Sequence, residues 1–286
     1  MSESRLRQLR HSGGAFALAP TARVRVTGPD RLRYLNGQVS NDLRSLAEGE
    51  ARAALVLTAK GRLCAQVFVW METDALVVES GGVDGDTLLA RLERYAIADD
   101  VAFELLPPPP SAWHVFGAVS ANFQGVRIRR LGVEGVDLAE CPADVLPATD
   151  EEREILRIER GVPRWGRELN EDTLPQEAGL EKYAIDFRKG CYVGQEVVSR
   201  IQSVGRVNRQ LAGLVGDFDP ARARAVQTPS GENAGTVTSA VFHPELGRTA
   251  ALGYLSTRLS DTSFVVLDES GACLGAAERS QFPLVS

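Results

Sequence analysis

Residues 185–209 read IDFRKGCYVGQEVVSRIQSVGRVNR, and no other stretch of the chain has so unusual a composition. Between positions 182 and 209 there are six basic and two acidic residues, a local charge of +4 in a chain whose net charge is −6. A local basic face favours an anionic ligand, and the alternative is a solvated surface without a ligand. The basic residues are Lys182, Arg188, Lys189, Arg200, Arg206 and Arg209, and the acids are Asp186 and Glu196.

Cys191 lies in a glycine-flanked part of this stretch. Gly190 and Gly194 bracket it, so the backbone there can adopt a positive φ or approach another surface closely. Arg188 and Lys189 precede it, and nearby cations favour the reactive thiolate of a cysteine. We therefore predict that Cys191 is an accessible functional thiol, the alternative being a buried, inert cysteine. The cysteines at positions 64, 141 and 273 are interpreted as structural.

The first hundred residues alternate between strand and helix patterns. Strands are predicted from residue alternation, and Ala59, Lys60 and Gly61 are predicted to form a tight hairpin turn. Asp30 precedes a short helix, and Asp86 or Thr87 is the predicted cap of a longer one. This mixture indicates an α+β layer. The predicted strands are Ala22 to Thr27, Ala53 to Thr58, Leu63 to Trp70 and Ala75 to Glu79.

The α+β pattern repeats after a proline run, and a β-rich segment ends the chain. Pro107 to Pro110 is a predicted stiff connector between two halves. Strands at Trp113 to Phe116 and Gly125 to Arg130 follow, then a helix from Glu151 to Arg160 entered through Thr149 or Asp150. Beyond Leu211 turn residues separate short strands, which predicts a small β-barrel or sandwich. Its strands are predicted at Leu211 to Val215, Gly235 to Phe242, Ala250 to Tyr254 and Phe264 to Leu267.

Composition bounds the class of protein. The chain has 286 residues, more than the roughly 100–200 of one typical domain, and 44% of them are hydrophobic, which predicts a globular protein with two or more domains. No apolar run approaches the roughly 20 residues of a membrane span, and the start MSESRLRQLRHSGG lacks the apolar stretch of a secretory signal, so we expect a cytoplasmic protein. The four cysteines and three histidines are too dispersed to indicate a disulfide framework, a local zinc site or an imidazole triad.

Several motifs carry a family resemblance. KGCYVGQE at 189–196 resembles the K-G-C-Y-x-G-Q-E signature of the YgfZ family of folate-binding proteins. The segments RIERGVPRWGREL and LPQEAGL are similar to R-x-E-x-G and P-x-E-x-G-L in the T-protein of the glycine cleavage system, an aminomethyltransferase. GPDRLRYLNGQVSNDL and LTAKGRL resemble the family's opening, so the resemblance covers nearly the whole chain. It implies a two-part folate-binding (GcvT-like) α+β domain over residues 1–205 and a C-terminal β-barrel over residues 206–286.

The resemblance also implies site residues and a cofactor. The T-protein glutamate that holds the pterin of tetrahydrofolate falls on Glu159, and an arginine of that site falls on Arg188. We therefore expect Glu159, Arg188 and Lys189 to bind tetrahydrofolate or a one-carbon derivative, and Cys191 to be the functional thiol. The matched signature consists of Lys189, Gly190, Cys191, Tyr192, Gly194, Gln195 and Glu196. From charge pattern alone, Glu159 is instead a surface partner of a residue one helical turn away.

One departure separates two functions within this resemblance. The T-protein has adjacent aspartates in the first hairpin, whereas this chain has Cys64 and Ala65 there, followed by Gln66. A general acid or base typically contributes about 100-fold to 10,000-fold, so its loss argues against aminomethyl transfer. We predict a folate-binding protein, not a conventional enzyme, that supports iron–sulfur cluster assembly or repair and indirectly affects tRNA modification. The alternative is a folate-dependent aminomethyltransferase or demethylase.

Expected partners are a reduced folate and iron–sulfur enzymes or assembly factors, with no membrane. An RNA-binding module built on the basic segment is a further alternative, but the segment lacks the interleaved aromatic residues of a stacking platform. One cysteine cannot hold a cluster alone, since clusters usually need about four thiolate ligands. A cluster bound by Cys191 would therefore need ligands from elsewhere.

Overall fold

A computed structural model describes residues 3–19, 21–109 and 111–285. Pro110, the last residue of the predicted connector, lies outside the described residues. The helices are α1 (Glu3–His11), α2 (Arg31–Gln38), α3 (Gly85–Glu93), α4 (Asp150–Glu159), α5 (Glu181–Ala184) and α6 (Gln195–Val204). The strands are β1 (Gly14–Ala17), β2 (Ala22–Thr27), β3 (Ala51–Leu57), β4 (Leu63–Glu72), β5 (Ala75–Ser80), β6 (Ala102–Leu106), β7 (Trp113–Phe116), β8 (Val126–Ile128), β9 (Gly135–Leu138), β10 (Arg209–Asp217), β11 (Ala225–Gln227), β12 (Asn233–His243), β13 (Arg248–Ser256), β14 (Ser263–Leu267) and β15 (Cys273–Ser280).

The first half contains a five-stranded antiparallel sheet in the order β3-β4-β5-β2-β6. Its four predicted strands are present, and Gly61, with φ +72°, makes the predicted hairpin turn between β3 and β4. Leu35 of α2 and Leu88 and Leu92 of α3 pack on its valine-rich face. The cap of α3 is Asp84, not Asp86 or Thr87, because the Asp84 carboxylate accepts the backbone N–H of Thr87.

The second half contains a four-stranded antiparallel sheet in the order β1-β7-β9-β8. Strand β1 comes from the start of the chain, so the N-terminal segment completes the second sheet before β2 enters the first. Helix α4 follows with the predicted Thr149 cap, and Thr149 and Glu152 form a capping box. Leu156 of α4 packs on Phe16 and Phe116 of this sheet.

The C-terminal strands close a six-stranded antiparallel barrel in the order β10-β13-β12-β11-β14-β15. The predicted α+β fold with a C-terminal barrel is confirmed. The predicted strands are found, and β11 and β15 are additional. Ile158 of α4 packs on Ala250 and Leu252 of β13, so α4 lies between the second sheet and the barrel. Helix α6 ends at Val204 and β10 begins at Arg209; the boundary between 205 and 206 stays a prediction. Within the described residues, no helix is long and apolar enough to cross a membrane.

Candidate functional site

A cavity of about 900 Å³ lies where both sheets, the segments following α4 and the barrel meet. Its walls come from β3 and β4, from β8 and the loop after it, and from the segments 160–165 and 178–183, with Gln210 and Leu211 of β10. Ligand cavities in proteins typically measure about 300–1,000 Å³. The cavity therefore has room for a small-molecule cofactor.

The cavity wall carries an excess of positive charge. Arg129, Arg130 and Arg164 pair with carboxylates, but four other lining cations form no ion pair within the described chain. Two of the four donate only to neutral oxygens, Arg52 to Asp42 O at 2.8 Å and Arg127 to Ser120 O at 2.8 Å. The four are Arg52, Arg127, Arg160 and Lys182. Uncompensated cations around a concave site favour an anionic ligand.

Arg160 is the least satisfied of these cations. Its Nη1 atom is buried and has no hydrogen-bond partner among the described residues. Burial lowers the pKa of the guanidinium from its ordinary value, because water is displaced from the charged group. A buried donor without an acceptor costs about 1–3 kcal/mol. A ligand carboxylate in the cavity would remove that cost.

A buried network holds Arg130 against the cavity. Its guanidinium contacts both Glu79 of β5 and Asp137 of β9, so it joins the two sheets. His114 Nδ1 lies 2.8 Å from Asp137, and burial lowers the pKa of His114, which favours the neutral ring. The Arg130 Cζ atom lies 5.0 Å from the ring centre of Phe68. This network positions Arg130 and Phe68 together before any ligand enters.

Aromatic and amide groups complete the cavity. The rings come from Phe68, Trp165, Tyr183 and Phe282. Gln66 lies two residues before Phe68 on the same side of β4. Tyr183 is 46% exposed as a residue, and packing around its hydroxyl, which lies beside Gln66, raises the pKa of that hydroxyl. Planar rings beside amide groups suit a flat heterocycle with polar edges.

The first hairpin brings no carboxylate to this site. Cys64 and Ala65, which replace the T-protein aspartates, are both buried in the core beneath the first sheet. A register shift between Val56 and Leu57 turns both side chains into that core. Gln66 is the first residue of the hairpin's second strand that reaches the cavity.

Glu159 does not line the cavity, contrary to the sequence-based expectation. It is 1% exposed, and its carboxylate accepts hydrogen bonds from Arg10 of α1 at 2.8 and 2.9 Å. His243 Nε2 of the barrel lies 3.4 Å from it. Burial opposes ionisation of Glu159, but the hydrogen bonds from His243 and Arg10 outweigh it and hold its pKa below the usual range. The next residue, Arg160, faces the cavity instead.

Arg188 and Lys189 also lie outside the cavity lining. The Arg188 side chain is 95% exposed, and its partner is Asp186 at 3.9 Å. Lys189 is buried, and its Nζ donates to the carbonyls of Asn36, Val39 and Asn41 at 2.6, 2.7 and 2.8 Å. An ammonium group has three donors, so Lys189 has none left for a cofactor. The structure therefore does not bring Glu159, Arg188 and Lys189 together.

The Cys191 loop is clamped onto the first hairpin. Gly194, with φ +85°, precedes α6, and a Cβ there would lie 2.5 Å from the carbonyl oxygen of Thr58. Gly190 has no positive φ and has open space around it, so only one of the two predicted glycines is required by the backbone. Cys191 is exposed, as expected for an accessible thiol, and is not part of the cavity lining.

The remaining cysteines differ in exposure. Cys64 is buried and Cys141 is partly buried, and burial raises the pKa of both thiols. Cys273, interpreted from the sequence as structural, is exposed on the barrel. Among the described residues, no group of three or more His, Cys, Asp or Glu side chains could hold a metal ion.

Sequence reasoning missed most of the cavity residues. Arg160 lies inside the RIERG motif, but the motif predicts its neighbour Glu159 as the ligand residue. Residues 127–130 form a dense RIRR run, for which the pattern predicts only a strand. A run of arginines beginning in a half-buried strand was the available signal. Lys182 was counted in the basic segment without a specific role.

Comparisons with known proteins support the resemblance. No protein-family model matches the chain. The tRNA-modifying protein YgfZ of Cronobacter sakazakii is 28% identical over 90% of this chain and 89% of its own length. The mitochondrial aminomethyltransferase of Gallus gallus is 27% identical over 88% of this chain and 76% of its own. A mitochondrial iron-sulfur cluster assembly factor homolog of Pyricularia oryzae is 28% identical over 71% of this chain and 58% of its own.

The fold has a solved counterpart. The glycine cleavage system aminomethyltransferase T of Bartonella henselae superposes with a TM-score of 0.81, at 20% identity, over 98% of this chain and 89% of that one. The fold is thus that of the aminomethyltransferases, while KGCYVGQE and the missing hairpin carboxylates separate this chain from those enzymes. The chain has the aminomethyltransferase fold and is similar in sequence both to YgfZ proteins and to aminomethyltransferases.

Proposed function

We propose that this chain binds tetrahydrofolate or a one-carbon derivative in the central cavity and thereby supports iron–sulfur cluster assembly or repair, with an indirect effect on tRNA modification. The cavity carries this proposal: it combines four aromatic rings with four cations that lack ion-pair partners among the described residues. A folate is a flat heterocycle attached to a glutamate with two carboxylates. The names of the relatives, a tRNA-modifying protein and an iron-sulfur cluster assembly factor, support the cellular role.

Different residues of the cavity suit different parts of a folate. Arg160 has an unpartnered Nη1 donor for a glutamate carboxylate, because a guanidinium can bind a carboxylate through two hydrogen bonds. Arg127 donates to the carbonyls of Ser120 and Phe123 at 2.8 and 3.0 Å but forms no ion pair within the described chain, so its charge can attract the second carboxylate. Phe68 beside Arg130 offers a ring face and a cation to the planar part. Gln66 supplies both a donor and an acceptor for a heterocycle edge.

These groups favour binding over aminomethyl transfer. The hairpin supplies Gln66 where an acid would be needed, and the Tyr183 hydroxyl stays protonated at neutral pH. Cys191 then acts separately, as an exposed thiol on a rigid loop. We propose that its thiolate supplies one ligand to a cluster whose other ligands come from a partner protein.

Anaerobic titration calorimetry with tetrahydrofolate tests the binding proposal. Arg160→Gln removes the charge that most lacks a partner, and loss of a charge-assisted pair of about 1.5–3 kcal/mol predicts at least roughly ten-fold weaker binding. Arg258→Gln, an exposed arginine on the barrel, is the charge-matched control and should leave the affinity unchanged. Absence of heat with any reduced folate, or equal affinity for Arg160→Gln, would contradict the proposal.

A further inference from the structure

A second cleft, of about 330 Å³, lies at the turn of the first hairpin, outside the folate cavity. Four cations surround it: Lys60 and Arg62 from the hairpin, and Arg91 and Arg94 from the C-terminal end of α3. None of the described residues that line it is acidic. The cleft is therefore a separate positively charged site.

Most of these cations are not neutralised. Arg62 donates to the backbone carbonyl of Asp172 and lies 3.7 Å from the Asp172 carboxylate. Lys60, Arg91 and Arg94 form no ion pair with any residue in the described part of the chain. Exposed cations that converge without counter-charges attract an acidic partner.

The floor of the cleft is aliphatic. Val56, Leu57 and Val193 line it, and the aromatic ring present among its described lining residues, Tyr95, already has the Arg94 guanidinium 5.8 Å from its centre. Nucleobases bind on free aromatic platforms, whereas an aliphatic side chain fits an aliphatic hole. Near the rim, Tyr95 is 44% exposed and Ile97 is 90% exposed, which adds apolar surface that a protein partner would cover.

The cleft is adjacent to the functional loop. Val193 lines the cleft, its N–H donates to Gly37 O at 3.2 Å, and Gly194 packs on the hairpin turn. Two residues span at most about 7 Å, so the Cα of Cys191 lies within that distance of the Cα of Val193. A chain bound in the cleft would therefore lie close to the backbone of the loop that carries the exposed Cys191.

We infer that this cleft docks an acidic protein segment that carries one aliphatic side chain, with the aliphatic group in the Val56–Leu57–Val193 floor and its flanking carboxylates on Arg91 and Arg94. The segment belongs to an iron–sulfur protein that is thereby brought to Cys191. The identity of that partner class rests on the proposed function, whereas the docking itself rests on the charges and shape of the cleft alone.

A labelled peptide tests the docking. Fluorescence anisotropy is measured with fluorescein-DELED at about 50 mM salt, where the charges are weakly screened. Binding should weaken at least about ten-fold for Arg91→Gln/Arg94→Gln and about three-fold or more when the peptide is changed to DESED. The double variant Arg258→Gln/Arg279→Gln, with the same charge change on exposed barrel residues, is the control and should bind like the unmodified chain.

A second readout tests the position of the cleft. DELED with a cysteine at one end, activated as a mixed disulfide with thionitrobenzoate, is attacked by the Cys191 thiolate; the peptide becomes disulfide-bonded to Cys191 and thionitrobenzoate is released. Docking should accelerate this reaction at Cys191 but not at Cys273. Arg91→Gln/Arg94→Gln should abolish the acceleration at Cys191. The same variant should leave the rate at which Cys191 reacts with uncharged dithiodipyridine unchanged.

Each outcome decides the proposal. Equal peptide affinity for both double variants, or no acceleration at Cys191, would overturn it. Tighter binding of a ten-nucleotide oligouridylate that is lost in Arg91→Gln/Arg94→Gln would overturn it in favour of a nucleic-acid site. Calorimetry separates the two proposals, because Arg91→Gln/Arg94→Gln should lose peptide binding while its tetrahydrofolate affinity stays unchanged. In the unmodified chain, tetrahydrofolate binding without peptide binding would refute only the docking, and peptide binding without tetrahydrofolate binding would refute only the folate site.

Discussion

The Arg10 guanidinium of α1 binds both carboxylate oxygens of Glu159 in α4, at 2.8 and 2.9 Å. The pair is reinforced by His243 of the barrel, so it joins the N-terminal helix, α4 and the C-terminal domain at one buried point. The glutamate of the R-x-E-x-G motif therefore acts in this chain as a structural anchor, and the adjacent Arg160 is the residue that reaches the cavity.

Glu159→Gln should lower stability without lowering folate affinity. Removing one partner of a buried ion pair typically costs about 3–5 kcal/mol when the other charge is left without compensation. Arg10 keeps a second carboxylate, Glu245, at 3.3 Å, so we expect a loss at the low end of that range. We expect the Tm to fall by about 5–10 °C in calorimetric or fluorescence melting, given a few degrees per kcal/mol for a chain of this size. Glu278→Gln, at an exposed glutamate of β15, is the control. A normal Tm together with weakened folate binding would indicate that Glu159 contacts the folate after all.

The same pair predicts a pH dependence of stability. The folded-state pKa of Glu159 is lowered, so its contribution to stability is fully present above its unfolded pKa of about 4.3 and is lost as the pH falls through the lower folded value. Unfolding by urea should therefore show a steeper loss of stability below about pH 4.3 in the unmodified chain than in Glu159→Gln. Parallel pH profiles for the two proteins would contradict this.

Gly194→Ala and Gly190→Ala should behave differently although both flank Cys191. At Gly194 the backbone φ is +85° and a Cβ would meet the Thr58 carbonyl oxygen at 2.5 Å, whereas at Gly190 nothing lies within 4 Å. The left-handed conformation alone costs about 1–2 kcal/mol for a non-glycine residue. Chemical denaturation should show this loss for Gly194→Ala and nearly none for Gly190→Ala. Equal stability of the two variants would show that the loop is not clamped on the hairpin.

Thiol alkylation should separate the two exposed cysteines from the buried Cys64. With iodoacetamide near neutral pH, we expect Cys191 and Cys273 to react in the folded protein and Cys64 to react only after unfolding, because it is buried and burial raises the pKa of its thiol. Peptide mass spectrometry at short times measures the order. Cys64 reacting at the rate of Cys191 would mean that the first sheet opens readily.

The two exposed thiols should differ in function. Cys191→Ser should fold normally, because the substitution is nearly isosteric, but should not restore iron–sulfur enzyme activity in cells deficient in this protein. Cys273→Ser is the matched control and should restore it. Full rescue by Cys191→Ser would show that the thiol is not required, and the function would then depend on folate binding.

Aminomethyl transfer should be absent. The cavity lacks the hairpin carboxylates, since Cys64 and Ala65 are buried and Gln66 is neutral. Turnover of an aminomethyl-loaded carrier protein with tetrahydrofolate should stay at least about 100-fold below that of a T-protein assayed beside it. Comparable turnover would support the transferase alternative.

Much of the fold could be predicted from the sequence because its determinants are local. The strands of the first sheet follow from residue alternation, the Gly61 turn from its positive φ, and α4 from its Thr149 cap and apolar spacing. The predicted cap of α3, Asp86 or Thr87, was wrong by two or three residues because several acceptors lie at the start of that helix, and only the hydrogen bond selects Asp84. Strand β1 was missed because four residues without marked alternation acquire strand structure only by pairing with β7, a hundred residues away.

The KGCYVGQE segment by itself determined the resemblance to YgfZ proteins and the position of an accessible thiol, since both are properties of one contiguous stretch. Only the tertiary structure decided which charges face the cavity without an ion-pair partner in the described chain, because that depends on residues distant in sequence. The Lys189 ammonium donates its hydrogen bonds to carbonyls about 150 residues earlier in the chain. The Glu159 carboxylate accepts hydrogen bonds from Arg10 at a similar separation. Arg160 has no ion-pair partner among the described residues because its side chain points from the end of α4 into the cavity, away from the Arg10 that binds its neighbour Glu159. Adjacent residues of a helix point about 100° apart, so neighbours in a motif can have opposite roles.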